Sequence, residues 1–92
     1  MTYAEIRREL LNSARDTEYF RYGISKDTAA ALLAVDRARD YRMSAEIAYI
    51  NSIDIYFDAE SRAQYLANAN EYENIASLYS KYARENGAAY ML

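Results

Sequence analysis

An all-α protein, a compact bundle of three to four helices, is predicted from three features of the composition. The 92-residue chain has no proline, its only glycines are Gly23 and Gly87, and it contains seventeen alanines. The first two features remove the punctuation that β-sandwiches and α/β folds depend on. The third supplies the residue with no side-chain entropy to lose in a helix. The length suits a single domain over residues 1–92, and without cysteine the core must hold the fold unaided.

The first helix is expected over about residues 3–22. Thr2 and Glu5 form a capping box, in which each side chain satisfies a backbone N–H near the other. Its apolar stripe is Tyr3, Ile6, Leu10 and Ala14, and Gly23 suits the left-handed conformation that ends helices. The polar run Ser13–Thr17 is a weak point within it.

The second helix is expected over 26–57, with Ser25 as N-cap and Asp27 in the first turn, where the helix dipole favours negative charge. Ser44 is able to cap a new helix and so divide the segment. Ala31, Ala38 and Ala45 recur at seven residues, with Ala34, Val35, Tyr41 and Ala48 beside them, giving a narrow face for close helix approach. Residues 46–57 are ambiguous, because Ile47, Tyr49, Ile53, Ile55 and Phe57 alternate as a half-buried strand would. A helical wheel also gathers Ile47, Tyr49, Ile50, Ile53, Tyr56 and Phe57 on one half, and the lack of flanking turn residues favours helix.

The third helix is expected over 59–86, capped by Asp58, with Glu60 in its first turn and Lys81 and Arg84 before Gly87. Tyr65, Tyr72 and Tyr79 take position a of a heptad, Ile75 and Tyr82 position d, and Ala69, Ala76 and Ala83 position e. Asn70, Asn74, Ser77, Ser80, Lys81 and Arg84 fall on the opposite, solvated side. The closing AAYML is apolar enough to fold back onto the bundle.

Composition disfavours most chemistry. With no histidine, the usual general base, imidazole metal ligand and nucleophile triads are missing, and neither glycine belongs to a phosphate-cradling loop. Asp54 and Asp58, at i and i+4 with Glu60 nearby, are a conceivable Mg²⁺ pair, but carboxylates at this spacing are common. The favoured reading is a helix cap at Asp58 and a solvent-facing Asp54, so a non-catalytic protein with no metal and no cofactor is expected. The charged N-terminal stretch lacks the apolar run of a signal peptide, and no window resembles a membrane span, which together suggest a soluble, cytoplasmic chain.

Charge is unevenly spread. Residues 1–44 hold eight basic and seven acidic side chains, whereas 45–92 hold three and seven. Between Glu46 and Glu73, six acids face Arg62 alone, so a basic partner is attracted and a polyanion repelled. Arg37, Arg39 and Arg42 offer an alternative nucleic-acid contact, but Asp36 and Asp40 interleave with them and the pI is about 4.9. Nucleic acid is therefore disfavoured, and ion pairing on a solvated face is the simpler account.

Eleven tyrosines are the most unusual feature. A domain this small cannot bury so many polar-tipped rings and satisfy every hydroxyl, so some are expected at a partner surface, where tyrosine is a frequent hot-spot residue. The expected protein-binding set is Tyr49, Tyr56, Tyr65, Tyr72, Tyr79 and Tyr82, with Asp54, Glu71 and Glu73 as its acidic rim. The expected partner is another protein with a partly basic surface. A second reading is a homodimer or larger self-assembly through the stripe of Tyr65, Tyr72 and Tyr79. No family motif is matched residue by residue. Small, acidic, cysteine-free helical proteins of this kind resemble phage or mobile-element inhibitors, anti-CRISPR proteins among them, which implies inhibition of a basic, nucleic-acid-handling protein.

Overall fold

The computed structural model describes all 92 residues and is all-α, with three helices and no strand. Helix α1 spans Tyr3–Ser13, α2 Lys26–Ser52 and α3 Ala59–Glu85, with short 3₁₀ turns at Ala14–Asp16 and Ala89–Met91. At 1.5 Å per residue, α2 and α3 each run about 40 Å, whereas α1 covers about 16 Å. Those lengths decide the shape. The two long helices form an antiparallel hairpin, and the molecule measures 52 × 21 × 21 Å.

The helix starts are local and follow the sequence. Thr2 accepts the Glu5 N–H at 3.2 Å while Glu5 accepts the Thr2 N–H at 3.2 Å, completing the capping box. Ser25 caps α2 through the Thr28 N–H at 3.1 Å, and Asp58 caps α3 through the Ser61 N–H at 2.7 Å. Gly87, at φ +90°, lets the Ala88 N–H reach back to the Ala83 carbonyl at 2.8 Å, the Schellman closure of α3.

Two helix ends differ from expectation. Helix α1 ends at Ser13 rather than near Tyr22, because Thr17 turns extended and places both its N–H and its hydroxyl on the Ala14 carbonyl. Side-chain competition of this kind breaks helices within Ser/Thr/Asp-rich runs. Helix α2 ends at Ser52 rather than Phe57, with the Ser52 hydroxyl bonded to the Tyr49 carbonyl and Asp54 accepting the Tyr56 N–H at 2.9 Å. Asp54 is thus a half-buried turn residue, not a solvent-facing helical one. Helix α2 runs through Ser44 without a break, and 46–52 is helical, as the wheel favoured.

The core sits at one end. Ile6 and Leu10 of α1, with Ala14 of the 3₁₀ turn, pack on Ala30, Ala34 and Val35 of α2 and on Tyr79, Tyr82 and Ala83 of α3. Ala88 is buried too, and Arg39 donates to the Met91 carbonyl at 2.9 Å, so the C-terminal segment folds back as expected. Outside that core cluster the buried apolar residues between the long helices are all alanines, Ala45, Ala48, Ala69 and Ala76. A seam of methyl groups permits close approach of two helices but buries little apolar surface, each CH₂-sized group contributing about 0.8 kcal/mol. We call the three-helix end the base and the two-helix end the arm.

Candidate protein-binding face on the arm

Large side chains are exposed at both ends: Phe20, Tyr22, Ile24 and Tyr90 singly at the base, and a longer run on the arm. Met43, Ile47, Ile50 and Ile53 follow one another at spacings of three and four along the outer side of α2, with Tyr49 beside them, and all are exposed. The connection to α3 adds Ile55 and Tyr56, which are 84% and 93% exposed. Leu66 is exposed on α3. The half-wheel of large side chains holds for Ile47, Tyr49 and Ile50 in the helix, whereas Ile53, Tyr56 and Phe57 lie beyond its end, and of these side chains only Phe57 is half-buried, packing on Tyr65 at 5.0 Å between ring centroids.

Acids surround this surface. Glu46, Asp58, Glu60, Glu71 and Glu73 are all exposed on the arm. The one cation there, Arg62, is half-buried, with its Nε turned inside and unpaired. The Ser61 N–H and hydroxyl, with a smaller contribution from Arg62, hold the Asp58 carboxyl below its ordinary range. Apart from the half-buried Arg62, the charges around these exposed apolar side chains are of one sign.

Two shallow grooves follow the seam of the arm. On one side Ala45 and Ala69 form a floor of about 210 Å³ between Tyr49, Glu46 and Glu73. On the other, Ser44, Ile47, Ala48 and Asn51 of α2 face Tyr65, Asn68 and Tyr72 of α3 across about 270 Å³. Tyr41 lies at the head of the second groove, stacked on Tyr79 at 5.7 Å and tilted against Tyr72 at 6.0 Å.

The tyrosines divide between the two ends. Tyr49 and Tyr56 are exposed, as a partner surface requires, and Tyr65 and Tyr72 are half-buried groove walls. Tyr79 and Tyr82, expected in the same binding set, are instead 0% and 2% exposed and belong to the base. The Tyr79 hydroxyl donates to Glu9 at 3.1 Å, and Glu9 is also held by Arg37 at 3.2 Å. Burial and the Glu9 charge push the Tyr79 phenol well above its usual value, so it stays a donor. Burial likewise raises Tyr82. Without Tyr79, the full stripe of Tyr65, Tyr72 and Tyr79 is not available for pairing with a second copy.

Arg37, Arg39 and Arg42, the alternative nucleic-acid set, each make a contact within the chain. Arg37 pairs with Glu9, Arg39 with the Met91 carbonyl and Arg42 with the Ser80 hydroxyl at 2.6 Å. Their partners differ from the neighbouring Asp36 and Asp40, and Asp36 instead accepts the Tyr19 hydroxyl at 2.6 Å. Ser80, expected on the solvated side of α3, is completely buried beneath Arg42. Asp54 and Asp58 are engaged with backbone N–H groups, and no group of three potential metal ligands is assembled.

The exposed isoleucines are the part of the site that periodicity alone leaves unassigned. Their signal lies in length: once α1 stops at Ser13, eleven residues cannot cover a 27-residue neighbour. No helix is long and apolar enough to cross a membrane. Comparison with known proteins places the chain in no family: no family model matches it, and neither a curated relative nor a similar solved structure was found.

Proposed function

We propose that the chain is a non-catalytic protein-binding module whose contact surface is the arm of the hairpin. The observation that carries this reading is the exposed run Met43, Ile47, Ile50 and Ile53, continued by Ile55 and Tyr56 and rimmed by acids. Apolar side chains supply affinity on desolvation, and the acids supply steering toward a basic partner. By type, the chain is an inhibitor of phage or mobile-element origin, comparable with anti-CRISPR proteins, acting in the cytoplasm on a nucleic-acid-handling protein and occupying its basic groove.

Affinity capture from the host cell tests this, with wild type compared against Ile50→Asp plus Tyr56→Ala. The expected result is a protein retained by wild type, lost with the double variant and released by added salt. Capture of the same proteins by both, or of none by either, would overturn the reading. Self-association through the arm is the competing reading. It is opposed by charge, since two arms would bring their acidic rims together, and a dimer of wild type in sedimentation would favour it.

A further inference from the structure

The groove walled by Tyr65, Asn68 and Tyr72 continues the lane in which α1 lies. On α3 these residues share a heptad face with Tyr79 and Tyr82, which α1 covers. Tyr41 joins the two halves, with one neighbour, Tyr79, in the core of the base and the other, Tyr72, in the groove wall. The lane is therefore filled by a helix over the base and empty over the arm. Its two open sections, about 240 Å³ beside Tyr41 and about 270 Å³ beyond it, meet at Ser44. Each falls short of the roughly 300–1,000 Å³ usual for a small-molecule site, and together they form a trough along the seam, as a helix requires.

We infer that the partner on which the proposed function rests contributes one amphipathic helix, seated in this lane end to end with α1. The chemistry of that helix follows from its surroundings. Helix α1 enters the same lane with Ile6 and Leu10, and Ala14 follows them in the 3₁₀ turn, so small aliphatic side chains at i, i+4 and i+8 match the trough. The lining between Ser44 and Tyr72 carries no charge, whereas Asp40 flanks the lane on α2 and Glu71 on α3. Arg37, at the head of the lane, is already neutralised by Glu9. Lysine or arginine on both shoulders of the incoming helix therefore faces carboxylates. A second copy of α1 fits poorly, because it would bring Glu5 and Glu9 against those acids.

The probe is a synthetic peptide copying residues 2–15 with Glu5→Lys and Glu9→Lys, titrated into the full chain and followed by NMR. Saturable binding below about 1 mM is expected, with shifts confined to the lane around Ile47, Asn51, Asn68 and Tyr72. Asn68→Arg and, separately, the exposed Ile47→Lys should each raise Kd at least ten-fold while leaving helicity unchanged. The peptide with its native glutamates should bind at least three-fold more weakly.

Three results would overturn the inference: no binding at 1 mM, shifts centred on Ile6 and Leu10 through displacement of α1, or occupation of the lane by a second copy without peptide. The capture experiment separates the two proposals. A partner that is lost with Ile50→Asp plus Tyr56→Ala but retained by Asn68→Arg would remove the lane helix and leave the binding module standing.

Discussion

At the scale of single residues, Glu9 bears more than its half-buried position suggests. Its carboxylate accepts from Tyr79 and pairs with Arg37, so one group satisfies a completely buried ring and neutralises a cation. Glu9→Ala leaves the Tyr79 hydroxyl inside without a partner and should cost about 1–3 kcal/mol, whereas Tyr79→Phe removes the need for one and should cost about 1 kcal/mol or less. Urea unfolding of both variants checks the order. Alkali should find two other hydrogen-bonded tyrosines. Tyr3 is pushed up to about 12 by burial and by the Glu85 carboxylate that accepts its hydrogen bond, and Tyr19 to about 12 by its hydrogen bond to Asp36. Below the ordinary tyrosine value of 10 both are protonated folded and unfolded, and their contribution is fully present. Between about 10 and 12 the unfolded chain releases protons that the folded chain retains, so stability falls as pH rises. Replacing both tyrosines with phenylalanine should flatten that fall in urea midpoints measured from pH 9 to 12.

At the scale of elements, the alanine seam and the isoleucine face of α2 predict opposite sensitivities. Ala38→Leu forces side-chain volume into a completely closed position between helices and should destabilise by about 1–3 kcal/mol or more. Ile47→Ala removes far more apolar surface but from a residue already facing water, and should change thermal stability by no more than about 0.5 kcal/mol. The same contrast explains what was legible in the sequence. Caps at Thr2, Ser25 and Asp58 and the closure at Gly87 depend on side chains within a few residues of one another, so local reading finds them. The seam at Ala31, Ala38 and Ala45 is legible because small residues at a seven-residue repeat have few other uses. The exposure of Ile47 and Ile50, and the burial of Tyr79 and Tyr82, depend on how far α1 extends, a property of the tertiary structure. A wheel identifies an apolar face without saying whether anything covers it.

At the scale of the whole molecule, the proposed contact surface and the main core occupy different ends. Large buried side chains, the Glu9 network and the folded-back C-terminal segment belong to the base, while the arm holds an alanine seam and an excess of acids. Substitutions on the arm should therefore alter binding without unfolding the chain, which makes the variants proposed for it interpretable. Tyr3 donates to Glu85 at 2.6 Å, so the first and last turns of the fold lie side by side, a helix length of about 40 Å from the 53–58 connection. That pairing sets where the molecule tolerates attachment. A fluorescent protein joined to either terminus should leave partner affinity within about two-fold of wild type, while the same insertion between Ile55 and Tyr56 should abolish binding with the base still folded. The molecule has the geometry of a hand tool, gripped at one end and working at the other, so immobilisation through its termini would present every arm outward.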